Sequence, residues 1–106
     1  MRPVLYTATA ADVTNGYTPP VVVDYIRTNG QYGVRYLNAA NGAGTGTVQS
    51  SLDNPFTVAQ TSMVWTTVAV SNNQAKLNEP VTAFRILNPV LGDTLLVVAQ
   101  GASPAG

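Results

Sequence analysis

The sequence predicts an all-β fold: a single-domain β-sandwich or small barrel of about seven or eight short antiparallel strands. Three observations carry this. Val and Thr, stiff at χ1 and suited to a pleated surface, recur along the chain, whereas Lys and Glu occur once each, as Lys76 and Glu79. Seven Pro and nine Gly punctuate the chain at short intervals. Between the breaks, apolar residues alternate with polar ones over runs too short for a helix. With 106 residues, one domain is expected, and a chain of this size buries roughly 65% of its unfolded surface.

Residues 1–20 end in TPP and read as an extended N-terminal arm, because Pro19-Pro20 favours extended backbone. The sandwich is placed at 21–101 and a small-residue tail at 102–106. Within it, VVVDYIRT-NG-QYGVRYLN (21–38) reads as a hairpin with a type I′ turn at Asn29-Gly30. That register sets Asp24 opposite Arg35, Tyr25 opposite Val34, and Val23 opposite Tyr36, matching opposite charges and aromatic with β-branched side chains. The Gly- and Asn-rich segment 39–50 reads as a mobile loop. Phe56–Gln60 is expected as a short strand after the Asn54-Pro55 break. Met63–Val70 is expected as an alternating strand, Ser71–Gln74 as a turn, and Ala75–Asn78 as a brief strand. Val81–Leu87 and Thr94–Gln100 form the expected final strand pair, joined by NPVLGD.

Charge narrows the function classes. Charged residues make up 9% of the chain, against roughly 25% in ordinary soluble domains. Five bases cancel five acids. Non-specific nucleic-acid binding needs a surplus of cations, and so does a polybasic membrane patch, so neither nucleic acid nor membrane is expected as a partner. Net charge near zero also removes the repulsion that keeps copies apart. The first residues, MRPVLYTATAADV, lack the apolar core of a signal peptide, and no run of about 18 apolar residues marks a membrane span.

The chemical inventory is sparse. The chain has no Cys and no His, so thiol, imidazole and zinc chemistry are absent and no metal or cofactor is expected. NGAGTG lacks the Lys-Ser/Thr and the spacing of a phosphate loop. The acids Asp12, Asp24, Asp53, Glu79 and Asp93 are scattered, several in turn contexts where Asp bonds its own backbone. No catalytic residue is assigned and no enzymatic activity is expected. Trp65 and the five tyrosines, all between Tyr6 and Tyr36, suit core or oligomer-interface packing, with a carbohydrate platform as the alternative.

The C-terminal third adds a resemblance. A Trp-containing strand, a polar turn, a short strand, PVTAFR, a Gly-bearing loop and a final Gln-Gly occur at Trp65, Val68, Leu77, Pro80, Val81, Thr82, Ala83, Phe84, Arg85, Gly92, Gln100 and Gly101. This pattern resembles small virion structural proteins of tailed bacteriophages. The resemblance implies a virion location and a non-enzymatic role, foremost as a decoration or cement protein on the capsid surface. The implied partners are the major capsid protein and other copies of the chain, as a dimer or trimer. Tail, neck, head-fibre or receptor-engaging modules are the other members implied.

Within PVTAFRIL, alternation puts Val81, Ala83, Arg85 and Leu87 on one side and Thr82, Phe84 and Ile86 on the other. With Phe84 and Ile86 in the core, Arg85 points outward, or into a second covered face where it needs a partner. Glu79 or Asp93 within the chain, or an acid on a neighbouring subunit, are the expected candidates. The interface and pairing candidates are thus Asp24, Arg35, Tyr25, Tyr36, Trp65, Arg85, Glu79 and Asp93.

Overall fold

A computed structural model describes residues 3–23 and 28–101 of the chain. Among these residues, β1 (Val4–Thr7), a short helix α1 (Ala10–Asn15), β2 (Val21–Val22), β3 (Thr28–Leu37) and β4 (Thr47–Ser51) come first. A 3-10 turn (Gln60–Ser62), β5 (Trp65–Thr67), β6 (Gln74–Leu77), β7 (Ala83–Leu87) and β8 (Thr94–Gly101) follow. The strands form two four-stranded sheets, β1-β8-β3-β6 and β2-β7-β4-β5, and every pairing is antiparallel. The all-β, sandwich-like expectation is met.

The core lies between the sheets, and the period of two in the sequence selects it. Tyr32, Val34 and Tyr36 of β3 point inward, with Leu95 and Val97 of β8, Val48 of β4, and Phe84 and Ile86 of β7. Phe84 meets Tyr32 edge-on at 5.8 Å between ring centroids, and the Tyr32 hydroxyl donates to the Val81 carbonyl at 3.0 Å. A buried aromatic body with a satisfied polar tip is the stable arrangement here.

Residues 1–20 are not an extended arm where the structure describes them. Val4–Thr7 are an edge strand on β8, with Val4 and Tyr6 packed against the core. Thr9 and Asp12 form a capping box that starts α1, and Gly16 ends it at φ 85°. Tyr17 to Val23 then run along β7: Tyr17 bridges Leu87, and Val21 pairs with Phe84. Pro19 and Pro20 cannot donate to this ladder. Thr18, fully buried, holds the register by accepting the Ile86 N–H on Oγ1 at 2.9 Å.

The Asn-Gly hairpin is also not formed. β2 and β3 lie in different sheets, and β3 is flanked by β8 and β6, so Arg35 sits opposite Leu96 and Gln74. Asp24 and Tyr25 fall outside the described residues. Asn29 and Gly30 lie inside β3, where the register against β8 shifts between Thr28 and Tyr32. Glycine suits a bulge as well as a turn, and the eight-residue β8 partner buries more than a local hairpin does. The two-residue turn with positive φ is made instead by Asn72 (53°) and Asn73 (65°), closed by paired bonds between Ser71 and Gln74.

Three further expectations change. Phe56–Gln60 is not a strand: the Asn54 side chain accepts from the Phe56 N–H and its carbonyl from Thr57 and Val58, winding a turn. The strand expected over Met63–Val70 shrinks to Trp65–Thr67. The final two strands do not pair with each other, because β7 and β8 belong to opposite sheets. Their loop crosses the sandwich, with Asn88 at φ 55° and Gly92 at φ 85° making the left-handed bends.

Candidate functional site

Two polar clusters occupy the sandwich outside the apolar core. The first surrounds Arg85. Phe84 and Ile86 are fully buried on the inner face of β7, so Arg85 emerges on the outer face, as its alternation predicts. There it lies directly opposite Gln49 of β4, and its Nε donates to Gln49 Oε1 at 2.8 Å. The guanidinium stacks over Trp65 at 4.4 Å from the ring centroid and over Tyr17 at 5.3 Å. Planar, weakly hydrated guanidinium suits two aromatic faces better than ammonium does. The strand register brings them together: on β5, Trp65 sits two strands over from Arg85 and two residues off its row, and Tyr17, opposite Leu87, sits one diagonal step from Arg85.

The expected acid partners of Arg85 lie elsewhere. Glu79 is exposed in the β6–β7 connection, and Asp93 is fully buried beside Tyr36. Burial lowers the Arg85 pKa below its ordinary value, and the nearby Tyr17 hydroxyl acts the other way. The group keeps its charge at neutral pH all the same. The cluster is a clamp rather than a reactive centre. It ties three strands and the Tyr17 segment together across the outer face of one sheet. The Trp65 indole N–H reaches the Gln60 carbonyl at 3.4 Å, and the Gln60 side-chain amide donates to the Thr18 carbonyl at 2.7 Å. Arg85→Ala is expected to lower stability by about 2 kcal/mol through lost stacking and an unpaired Gln49. Arg85→Lys is expected to recover less than half of that, since it loses the planar fork. Urea melts of both variants measure it, and equal stability of Arg85→Lys and wild type would contradict the stacked geometry.

The second cluster explains the Gly-rich loop. The Tyr36 hydroxyl donates to Asp93 Oδ2 at 2.6 Å and accepts the Gly46 N–H at 2.9 Å. Asp93 Oδ2 also accepts the Val90 N–H at 2.9 Å. A Cβ on Gly44 would lie 2.1 Å from Tyr36 Cζ, and one on Gly46 would lie 2.7 Å from the Leu87 carbonyl oxygen. The loop is therefore seated on the tyrosine ring, not free. Its turn is closed by Asn38, whose Oδ1 accepts the Ala40 and Gly42 N–H groups. A cleft of about 420 Å³ opens beside it, between the Ala43–Thr47 segment and Thr67–Asn73, and Tyr36 is the one titratable side chain lining it.

A third, smaller polar contact was also missed by the sequence reading. Tyr6 donates to the buried Asp12 carboxylate, which also accepts the Thr9 N–H at 2.9 Å. The signal was present as the T-x-x-D spacing of a capping box. Burial, and then the hydrogen bond to Asp12, push the Tyr6 hydroxyl up to about 12. Burial and Asp93 raise that of Tyr36 as well, against an opposing pull from the Gly46 N–H. Both folded phenols hold their protons more tightly than the unfolded chain, whose tyrosines ionise near about pH 10. Their contribution is complete below that pH and is lost as pH rises through the folded values. Stability measured in urea is expected to fall from about pH 10 upward, with a shallower fall in Tyr6→Phe. An unchanged slope in Tyr6→Phe would remove Tyr6 from the account.

Of the side chains singled out by sequence, the fold brings Trp65 and Arg85 together and joins Tyr36 to Asp93. Arg35 is exposed on the outer face of the other sheet, and Glu79 is exposed near Ser50 and Thr66. No group of three or more metal-ligating side chains is found among the described residues, and no described helix is long and apolar enough to cross a membrane. Comparison with known protein families, with characterised proteins and with solved structures finds no match.

Proposed function

We propose that the chain is a non-enzymatic structural component of a tailed-bacteriophage virion, a decoration or cement protein that binds the outer shell as a homo-oligomer and ties capsid subunits together. The observation that carries this reading is the fate of the pattern that resembles virion proteins. Its one charged side chain, Arg85, is held between Trp65, which belongs to the same pattern, and Tyr17, and it bonds Gln49. Phe84 of the pattern fills the core, and Gly92 makes the left-handed bend before β8. These residues therefore support a scaffold. The acid nearest to a reactive environment, Asp93, has its Oδ2 bonded by Tyr36 and Val90.

A cement role also suits the surface. Many symmetric copies, each bridging several subunits, gain by effective concentration rather than by exceptional affinity at one contact. Mass spectrometry of gradient-purified particles, from a host producing the chain and its phage, tests the location. The chain is expected in a fixed ratio to the major capsid protein. Its recovery from the soluble lysate alone, with none in particles, would contradict the proposal.

A further inference from the structure

Among the described residues, the outer face of the β1-β8-β3-β6 sheet carries the exposed cations Arg35 and Lys76, and these four strands contain no acidic residue. In register, Leu5, Leu96, Arg35 and Gln74 form one row across this face. Val98, Gly33 and Lys76 form the next. Leu5 on the edge strand is 61% exposed, and Val98 on the central strand β8 is 42% exposed, which is unusual for an aliphatic residue inside a sheet. Gly33 has no side chain, so the centre of the face is hollow. Two adjoining depressions, of about 410 and 180 Å³, meet at Gly33, Lys76 and Val98.

A second patch has the complementary character. The excursion between β4 and β5 presents Leu52, Phe56 and Val64, each more than 70% exposed. The exposed acid Glu79 is adjacent, because it lines a small pocket with Leu52. Asp53 lies in the same patch, its carboxylate accepting the Val64 N–H at 2.5 Å. The knob is rigidly held. The Asn54 side chain fixes the Phe56 N–H at 2.9 Å, and the Thr82 hydroxyl donates to the Asp53 carbonyl at 2.6 Å. An apolar knob flanked by acids thus complements an apolar hollow flanked by bases.

We infer that the chain self-associates head to tail, with Phe56 of one copy entering the Gly33 hollow of the next while Glu79 faces the Arg35 and Lys76 pair. This deepens the homo-oligomer part of the reading above and rests on it, whereas shell binding stands or falls separately. The two patches are different surfaces of the chain, so the contact is heterologous and propagates into a closed ring or a filament. The charge pairs set register and encounter rate, and the aromatic anchor carries most of the affinity. Zero net charge leaves no long-range repulsion against it.

Sedimentation velocity over a concentration series, at low and high salt, reads the association. Wild type is expected to rise in mass with concentration, less so at high salt. Phe56→Ser and Gly33→Leu are each expected to weaken association at least about tenfold. Both leave the monomer intact: Phe56 is 76% exposed, and a Cβ on Gly33 meets nothing closer than the Val98 carbonyl oxygen at 3.9 Å. Should Gly33→Leu fail to fold, Phe56→Ser decides alone. Lys76→Glu and Glu79→Lys should each weaken association, and the double variant should recover it. Association that persists unchanged in Phe56→Ser overturns these surfaces and leaves the homo-oligomer standing. A wild-type chain that stays monomeric at the highest concentration overturns both.

Discussion

A chain lacking residues 1–20 is expected not to fold. The deletion strips β1 from β8, leaving the backbone of Val4 to Thr7's partners, Thr94 to Val97, open on one side. It also removes Tyr6 and Ala8 from the packed interior, the Tyr17 face of the arginine clamp, and Thr18, whose hydroxyl accepts the Ile86 N–H at 2.9 Å. Ala8 bonds the β7–β8 loop: its N–H donates to the Asp93 carbonyl at 2.7 Å, and its carbonyl accepts the Gly92 N–H at 3.2 Å. Each large apolar group lost from the interior costs about 1.5–3 kcal/mol. Several such losses exceed the roughly 5–15 kcal/mol that holds a domain together. Far-UV circular dichroism and amide dispersion in a proton NMR spectrum report the outcome. A dispersed, cooperative melt from the truncated chain would show that the N-terminal segment is an accessory after all.

Asp93→Ala is expected to cost roughly 3–5 kcal/mol, the largest effect of any single substitution in the Tyr36–Asp93 cluster. The carboxylate is fully buried and holds the Tyr36 hydroxyl and the Val90 N–H on one oxygen. Its removal leaves both donors without that acceptor, the Tyr36 hydroxyl in a buried position. The other oxygen, Oδ1, is buried with no hydrogen-bond partner among the described residues, so the native arrangement already carries an uncompensated polar atom. Tyr36→Phe is expected to cost about 2 kcal/mol, because the Gly46 N–H then loses its acceptor and Asp93 its donor. The two changes share one network, so their double variant should cost clearly less than the sum. Additive costs in a double-mutant cycle would show that Tyr36 and Asp93 act independently. The seat of the loop is checked separately by Gly44→Ala, whose Cβ meets the Tyr36 ring at 2.1 Å and forces one of them to move.

The sequence was most readable where a short period met a buried face. Alternation in PVTAFRIL identified Phe84 and Ile86 as core and Arg85 as outward, and the structure places them so. It could not identify what Arg85 meets, because Tyr17, Gln49 and Trp65 are brought together by strand order. Strand order is set by burial across the whole chain. The Asn-Gly reading failed for the same reason. A turn propensity of one or two residues competes with a long β3–β8 ladder, and the ladder wins. Pro19-Pro20 suggested an arm because prolines lack donors. Nothing local shows that Thr18 replaces the missing bond with its side chain. The loop glycines suggested mobility, whereas Gly44 and Gly46 are there because a ring and two carbonyls lie too close for any side chain.

Heating particles tests whether the chain is a structural cement. DNA release from purified virions is followed by dye fluorescence as temperature rises, with particles assembled with and without the chain. Release is expected at a lower temperature without the chain, restored when the purified chain is added back. Identical release curves, with the chain bound or absent, would contradict it.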